Sequence, residues 1–588
     1  MSRLTLENLY TLIYTHSCCM KNLLVCITLL MIPELSAAQG CVNTQSSIDI
    51  HGNNIRARIL NGGDLFTDHS NGQFIPNPGP PGTPSPTTIF AAGLWMGGVD
   101  PGLNLKLATV DYRNNSKFDY TAGPLSLEGV TDAPTCANWD RLFRVTGAEI
   151  AAFQIAPPLN AAQLKSQFPA IAGWPGLGNP FFDDMNGYDL PFTGQRLAPF
   201  FDTNSNGLFN PLEGDFPVVL LRGIYPIVPA EIIWCVFNDQ NGGTPHSSSN
   251  GKAIQMEVQL TAFAFNCPTG GVVNNTIFTS HKFINCGTDN VDSTFIGMWV
   301  DIDLGCYLDD YLGCNPALNT MYAYNQDAVD GNPGNTCQGT ATFPNATPVQ
   351  SITFLNHPLS KFVVSNNGSN GTPLATSDPA APFEYYNYLT GTWRDGTPLT
   401  YGGTGYNPGD PTAVNTSHIF PDSPNDPAGW SMCTANLASN DRRMLGTTTI
   451  GILKPGEIEV LDIAWAFHPN PSLPCGLGTT FSDVAAIQSL FNDGFSGLCS
   501  PLKAPELPED SLQLLPNPTS GAALLRYGSL SPLSLRAYDG AGRLVLEKTS
   551  GFEQAETVLE TSALTAGIYT LQVVMEEGIV TKKLVVVR

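Results

Sequence analysis

Oxygen-bearing side chains recur at every second position within one short stretch of this 588-residue chain. A calcium loop takes its ligands from positions one, three, five, seven, nine and twelve, with glycine at six. In residues 202–213 those six ligand positions are occupied by Asp202, Asn204, Asn206, Leu208, Asn210 and Glu213, and Gly207 stands at six. A hard cation needs oxygen atoms that converge from one tight turn, so the stretch predicts a calcium (Ca²⁺) site, with Leu208 contributing its backbone.

Two prolines set this loop apart from an EF-hand. Pro211 lies inside the loop and Pro217 follows it, which disfavours the usual exiting helix. We therefore expect an EF-like loop without a helix pair. Only Asp202 and Glu213 are charged, which predicts weak calcium binding, in the range of about 10⁻⁴–10⁻³ M. The alternative is a plain turn of asparagine and glycine that binds no ion.

Four aspartates crowd the end of an apolar run: Asp301, Asp303, Asp309 and Asp310. Carboxylates this close repel one another unless a cation or hydrogen bonds compensate, so the cluster predicts a second calcium site. A solvated acidic loop is one alternative, and a catalytic carboxylate pair like that of glycosidases is another. The eight histidines are scattered, and the sequence holds no His-Glu-x-x-His or Gly-x-Ser-x-Gly motif.

Short apolar runs between Gly, Pro and Asn turns must position these residues. Charged residues make up only 13% of the chain, against 57 Gly and 47 Pro, which favours strands and long loops. Residues 229–300 predict an antiparallel meander of four strands, and residues 447–466 predict a hairpin that turns at 454–457. The fold class that we predict is mainly β, with several antiparallel sandwiches joined by long loops.

Composition divides the chain into five segments. Residues 1–38 have the basic start, short apolar run and small-residue end of a secretory signal peptide, with 1–19 as an upstream extension. A membrane anchor and a lipidated Cys41 are the alternatives for this leader. A β and loop region follows at 39–225, then a central β-rich domain at 226–500 and a Pro-rich linker at 501–511. A small module at 512–588 ends the chain.

The charge balance restricts the partners. There are 27 Lys and Arg against 51 Asp and Glu, a net charge of -24. This balance argues against nucleic acid or an anionic membrane as a partner, and it suits an extracellular protein that binds cations. After the leader, no stretch is long and apolar enough to cross a bilayer, so we expect no transmembrane segment in the mature chain.

The cysteines suggest disulfides. Fourteen are present, and eleven remain after the leader, so at least one is unpaired or intermolecular. An exported chain permits disulfides. Cys306 with Cys314 and Cys475 with Cys499 each flank a short segment, and we predict these two bridges.

The last module carries several ordered motifs around its β runs. Those runs are short and turn at glycines, which predicts an immunoglobulin-like antiparallel sandwich. The motif residues are Pro516, Asn517, Pro518, Gly567, Tyr569, Lys582 and Lys583. The module resembles the type A C-terminal sorting domain of type IX secretion cargo. That resemblance implies an outer-membrane translocon as partner, export through the periplasm, and a secreted or cell-surface product. The alternative is an ordinary immunoglobulin-like module that stays on the mature protein.

The body also resembles large uncharacterised secreted proteins that carry the same tail. The matching stretches within residues 50–470 are 94–100, 202–217, 301–305, 309–314, 394–403 and 441–443. This resemblance brings no activity with it. The function that we predict is an exported, calcium-stabilised β protein in adhesion, extracellular structure or binding of a surface glycan or matrix. The alternative is a secreted polysaccharide hydrolase whose catalytic residues lie near 301–310.

Overall fold

The computed structural model describes two compact units. The described residues are 40–588 apart from 81–83, 113–116, 192, 194–195, 269, 332–336, 338–340, 344–346, 368–372, 439, 470–472, 497, 499–510, 529, 531, 539–543, 549–551, 553–554 and 576–577. The predicted signal peptide and residues 501–510 of the predicted linker therefore lie outside the described residues. The larger unit runs to Asn266 and includes Gly270–Ser496, and the tail unit comprises Cys267–Thr269 and Gly497–Arg588.

Twenty-two strands of the larger unit are described. In chain order they are β1 (Ser47–Ile50), β2 (Ile55–Leu60), β3 (Asp64–Leu65), β4 (Phe74–Pro76), β5 (Ile89–Val99), β6 (Leu105–Thr109), β7 (Thr121–Ala122), β8 (Phe143–Thr146), β9 (Phe200–Phe201), β10 (Phe216–Pro217), β11 (Val219–Leu221), β12 (Tyr225–Ile227), β13 (Glu231–Asn238), β14 (Met256–Ala264), β15 (Thr276–Asn285), β16 (Val291–Ile302), β17 (Asp310–Asn315), β18 (Thr320–Asn325), β19 (Val349–Phe354), β20 (Lys361–Asn366), β21 (Arg442–Leu453) and β22 (Ile458–His468).

The helices of this unit are short and lie between strands. They are α1 (Ala133–Trp139), α2 (Gly147–Gln154), α3 (Ala161–Gln167), α4 (Pro169–Ala172), α5 (Phe182–Asn186), α6 (Pro382–Leu389) and α7 (Thr480–Asn492). Asn160 caps α3 with its side chain, in a reciprocal pair with Gln163. None of the helices in the described part of the chain is long and apolar enough to span a membrane.

Two large antiparallel sheets form the core of the larger unit. The first has the order β1-β2-β3-β5-β16-β21-β20, with β4 and β6 beside it, and the second has the order β17-β18-β19-β22-β15-β14-β13-β7, with β8 beside β13. Buried side chains of both sheets belong to one hydrophobic cluster. Phe66, just after β3, meets Trp465 of β22 with ring centroids 4.9 Å apart. The mainly β architecture predicted from sequence is confirmed.

The order of the strands differs from the prediction at two places. β13, β14 and β15 pair in turn, as the predicted meander requires, but β16 lies in the other sheet between β5 and β21. Likewise β21 and β22 belong to different sheets, so the predicted hairpin at residues 447–466 is wrong. The turn at 454–457 instead carries the chain from one sheet to the other. Apolar alternation shows that a strand is half-buried but does not identify its neighbour.

The boundary predicted between residues 225 and 226 is not a boundary between compact units. β5, from the first segment, pairs with β16, from the second. β7 and β8 in the same way pair with β13. The regions 39–225 and 226–500 therefore fold together, because their strands complete the same sheets. The Gly- and Pro-rich composition reflects long loops within one unit.

Both predicted disulfides are wrong. Cys306 is bonded to Cys337 and Cys475 to Cys433, while Cys499 lies outside the described residues. A further bridge joins Cys41 to Cys136. Cys314 is a buried free thiol on β17. The prediction paired cysteines that are close in sequence. Cys306 and Cys475 are instead bonded to loop cysteines 31 and 42 positions away.

The tail unit is a small sandwich of two antiparallel sheets. Its strands are β23 (Gln513–Leu515), β24 (Ala522–Arg526), β25 (Pro532–Tyr538), β26 (Leu544–Lys548), β27 (Glu556–Glu560), β28 (Gly567–Met575) and β29 (Gly578–Val586). One sheet has the order β23-β24-β27 and the other β26-β25-β28-β29. Both contribute to one buried core that includes Leu525, Leu535 and Leu571.

Candidate functional site

The predicted calcium loop is closed at its base by strands. β9 leads directly into Asp202 and pairs with β10, and no helix follows the loop, as its prolines predict. Asp215 is fully buried behind the loop. Its carboxylate accepts hydrogen bonds from the backbone N–H groups of Thr203 and Asn210, at 2.8 and 2.9 Å. Asp215 therefore links the beginning of the loop to its later part. The sequence analysis did not identify this residue, because it lies outside the twelve positions of the calcium-loop pattern.

The side chains of the loop converge on Glu213. The Nδ2 atoms of Asn204, Asn206 and Asn210 donate to its carboxylate at 2.6, 3.1 and 2.9 Å. Asp202 faces the same turn and accepts hydrogen bonds from the N–H groups of Asn206 and Gly207. The Oδ1 atoms of the three asparagines accept hydrogen bonds from Asn206 N, Leu208 N and Leu212 N. Turning the amides so that their oxygens meet a calcium ion would break these bonds, and the ion would have to compensate for them.

Two backbone features complete the turn. Gly207 has a φ of +82°, a left-handed conformation that favours glycine. Leu208 follows it and donates its N–H to Asn206 Oδ1 at 2.7 Å. Most residues of the loop are exposed to solvent.

The structure divides the four clustered aspartates into separate environments. Asp301, near the end of β16, lies opposite Arg443 of β21 and accepts a hydrogen bond from its Nη2 at 3.2 Å. The Tyr112 hydroxyl also donates to this carboxylate. Arg443 additionally contacts Asp441. Arg443 and Tyr112 compensate Asp301 only in part, because burial still raises its pKa to about 7 and its Oδ1 is buried without a hydrogen-bond partner.

Asp309 lies beside a third carboxylate, that of Asp330, and the charges of both raise the pKa of Asp310. Asp309 accepts a hydrogen bond from Gly331 N at 2.8 Å, and Asp310 accepts one from Leu304 N at 3.0 Å. Each uses only its Oδ2 atom in this way. The Oδ1 atoms of Asp309 and Asp310 are buried without a hydrogen-bond partner. Buried anionic oxygens without a donor are costly unless something else neutralises them.

Asp330 is held in place by the backbone on both sides. Its carboxylate accepts hydrogen bonds from Cys306 N at 2.8 Å and from Phe343 N. Oxygens of Asp309 and Asp330 and the Cys306 sulfur lie within 4.8 Å of one another. The sulfur belongs to the disulfide with Cys337, so the donors available to a cation are the carboxylates. We call Asp309, Asp310 and Asp330 the carboxylate centre.

The pKa values of the carboxylate centre show how costly its charges are. Burial raises the pKa of Asp330 to about 7 and that of Asp309 to about 6, and neighbouring carboxylates add to both increases. Burial, with the charges of Asp309 and Asp330, raises the pKa of Asp310 well above its usual range. A divalent cation with oxygen ligands would reverse these shifts, and calcium prefers such ligands.

Asp303 lies between the two groups. Burial and the charge of Asp301 raise its pKa well above the ordinary value, and its own charge in turn raises the pKa of Asp310. None of the four predicted aspartates lines the cavities of about 380 Å³ and 290 Å³ in the described part of the chain. All four are buried, so this geometry does not favour the glycosidase alternative, which needs two carboxyl groups that reach substrate.

The sorting motif at the start of the tail unit is bonded to its last strand. Asn517 lies between Pro516 and Pro518, and its Nδ2 donates to the Lys583 carbonyl at 2.6 Å while its Oδ1 accepts Val585 N at 2.8 Å. One side-chain amide therefore imitates a strand neighbour for β29. This contact gives a physical reason why the sorting motif combines Asn517, near the start of the module, with the final strand β29.

The remaining motif residues lie on β28 and β29. Gly567 begins β28, and the Tyr569 hydroxyl donates to the Thr565 carbonyl at 2.8 Å. The edge strand β29 carries Lys582 and Lys583, of which Lys582 donates to the Leu512 carbonyl at 2.7 Å. Lys583 is exposed on this edge, where a charge discourages pairing with other sheets.

Comparison with known proteins identifies the tail. The family model described as the secretion system C-terminal sorting domain matches residues 513–587. This match confirms the predicted sorting module, and the chain is exported to the cell surface or secreted by the type IX pathway. No curated protein sequence matches the chain, so the resemblance proposed for residues 50–470 stays a prediction.

A solved structure described as a polysaccharide lyase is also similar, at 10% identity and a TM-score of 0.16. That similarity covers 56% of this chain and 34% of the lyase, so the chain spans about a third of the length of that protein. A TM-score this low carries no argument about fold or activity.

Proposed function

We propose that this chain is an exported, calcium-stabilised β protein that works outside the cell in adhesion, structural support or binding of a surface glycan or matrix. The sorting tail supports delivery through the type IX translocon. The observation that carries the calcium proposal is the pair of buried, unpartnered Oδ1 atoms on Asp309 and Asp310. The convergent loop at 202–213 supports a second, weaker site.

Calcium titration of the decalcified protein by calorimetry tests the proposal. We expect two classes of site, a tighter one at the carboxylate centre and a weaker one at the loop. Asp310→Asn should remove the first class and leave the second, while Glu213→Gln should do the reverse. Asp119→Asn is the matched control, because it makes the same change at a buried carboxylate outside the centre that accepts backbone hydrogen bonds from Thr109 and Ser248. Unchanged binding in Asp310→Asn would refute the calcium proposal.

The extracellular role is tested in cells that produce the protein. Cells lacking this chain should adhere less to glycan-coated or matrix-coated surfaces, and the wild-type chain should restore adhesion in a calcium-dependent way. The Asp310→Asn chain should reach the surface in reduced amount or restore adhesion poorly. Equal adhesion with and without the chain would contradict the proposed role and leave the calcium chemistry to be judged by titration.

A further inference from the structure

A cavity of about 380 Å³ lies on the outer face of the second sheet. Segments 196–200 and 220–224 form its walls. Its floor comes from strands β13, β14, β15 and β22, on the side that faces away from the core. The volume falls at the lower end of the range for small-molecule sites, which is about 300–1,000 Å³.

Strand register places the polar side chains of the floor side by side. Thr261 is paired with Trp234 on one side and with Ser280 on the other. In the next row Gln259 is paired with Lys282. Residues two apart on a strand face the same side, so these five side chains share one surface.

The charged residues of the cavity are all basic. Arg196, Arg222 and Lys282 line it, and among the described lining residues none is acidic. Such a lining is unusual in a chain with 51 acidic and 27 basic residues. Burial, together with the nearby charge of Arg196, lowers the pKa of Lys282, opposed by Glu257. Cations that line one cavity favour the binding of an anion there.

The nearest carboxylates already have other contacts. Glu257 accepts hydrogen bonds from Leu125 N and the Gln259 side chain, both at 2.8 Å. Asp462 accepts one from Arg222 N at 3.0 Å. Neither residue lines the cavity. Their charges therefore compensate the cations only in part.

Two contacts orient the Arg222 guanidinium. Its guanidinium lies over the Phe491 ring, 4.2 Å from the centroid, and its Nη2 donates to Asn492 Oδ1 at 3.0 Å. A guanidinium has five N–H donors in a fixed plane, so these contacts orient the group while further donors remain for a carboxylate.

Trp234 lines the floor of the cavity beside its strand partner Thr261 and is only 1% exposed. Its indole ring adds an apolar group to the polar floor, a combination that is typical of small-ligand sites.

We propose that this cavity binds an acidic sugar unit, a pyranose ring that bears a carboxylate. The carboxylate would meet Arg222 and Lys282. Ring hydroxyls would meet hydroxyl groups of the floor, because the Gln259 amide already donates to the Arg196 carbonyl and to Glu257. Ile458 and Val460 give an apolar wall for the carbon face of the ring. Apolar walls with a few convergent polar groups are typical of small-ligand sites. The site is separate from the carboxylate centre and does not depend on calcium.

Binding of D-glucuronate, D-glucose and sodium sulfate to the full exported chain tests this inference by calorimetry. Glucuronate should bind, and glucose should bind about tenfold more weakly or worse, because it lacks the charge-assisted hydrogen bonds. Sulfate should also bind more weakly than glucuronate, since it cannot use the apolar wall. Lys282→Gln should weaken glucuronate binding by about tenfold or more.

Controls separate loss of the site from loss of the fold. Lys252→Gln removes the same charge from an exposed lysine outside the cavity and should leave binding unchanged. Arg222→Gln gives a second variant, at a residue that is only partly buried, if Lys282→Gln does not fold. Four results would each overturn the inference. They are full glucuronate affinity in the folded variants, an affinity for glucose equal to that for glucuronate, an affinity for sulfate equal to that for glucuronate, or no glucuronate binding at all.

Discussion

Replacing Asp330 with asparagine should have opposite effects on stability with and without calcium. The pKa of this buried carboxyl is about 7, against an ordinary 3.8, so its ionisation in the folded state costs about 4 kcal/mol. The stability that protonated Asp330 contributes is fully present below pH 3.8 and is lost as the pH rises through about 7. At pH 8, without calcium, the wild type therefore bears the whole penalty.

Asparagine removes this penalty but weakens the hydrogen bonds from Cys306 N and Phe343 N. The pKa of about 7 already includes the effect of these two bonds, so the variant should be more stable by up to about 4 kcal/mol at pH 8 in chelator. At pH 5.5 the ionisation penalty falls to about 2 kcal/mol, and the gain should fall by about half. With calcium the order should reverse, because the variant loses a charged ligand.

Guanidinium unfolding followed by tryptophan fluorescence, at both pH values and with either EGTA or calcium, measures these effects. Asp119→Asn is the matched control, because this fully buried carboxylate also accepts backbone hydrogen bonds, from Thr109 N and Ser248 N, but lies outside the carboxylate centre. It should destabilise the protein by about 1.5–3 kcal/mol whether or not calcium is present. If Asp330→Asn behaves like this control in EGTA at pH 8, the carboxylate acts only through its hydrogen bonds and the reasoning is refuted.

Three further perturbations distinguish the parts of the molecule. Replacing Cys306 and Cys337 together by serine should lower the free energy of unfolding by about 3 kcal/mol and weaken calcium binding. Denaturant unfolding and calorimetry measure the two effects, and unchanged calcium affinity would show that the disulfide does not position the carboxylate centre. Glu213→Gln should leave the unfolding midpoint within about 0.5 kcal/mol of wild type, because its loop is exposed; a larger loss would mean that the loop supports the core. Asn517→Ala should destabilise the tail by about 1–3 kcal/mol and reduce the exported fraction in cell fractionation; normal export would show that the contact with β29 is dispensable.

Local features of the fold could be predicted from sequence, and distant pairings could not. The runs that became β14 and β15 alternate cleanly and are joined by a short connection, so their pairing follows from the sequence pattern. β16 and β21 alternate in the same way, but their pairing joins segments about 150 residues apart. Nothing in the period of a strand encodes that choice, and the predicted hairpin failed for this reason.

The same distinction holds for the sites. The ligands of the 202–213 loop are contiguous, so their spacing alone shows them. Only part of the carboxylate centre could be predicted from the sequence. Asp330 follows β18 in the chain and is positioned by backbone hydrogen bonds from Cys306 and Phe343. The Asp-Gly pair at 330–331 predicts a turn and nothing more. The basic cavity was not visible at all, since four strands and two loops contribute to it.

A crystal structure grown with calcium, with anomalous scattering used to identify the ion, tests the proposed stabilisation by calcium most directly. The carboxylate centre should contain a calcium ion bound by oxygens of Asp309, Asp310 and Asp330 at about 2.3–2.6 Å. Ordered water alone at that position, with the three side chains unmoved at saturating calcium, would contradict the proposal that a cation neutralises them.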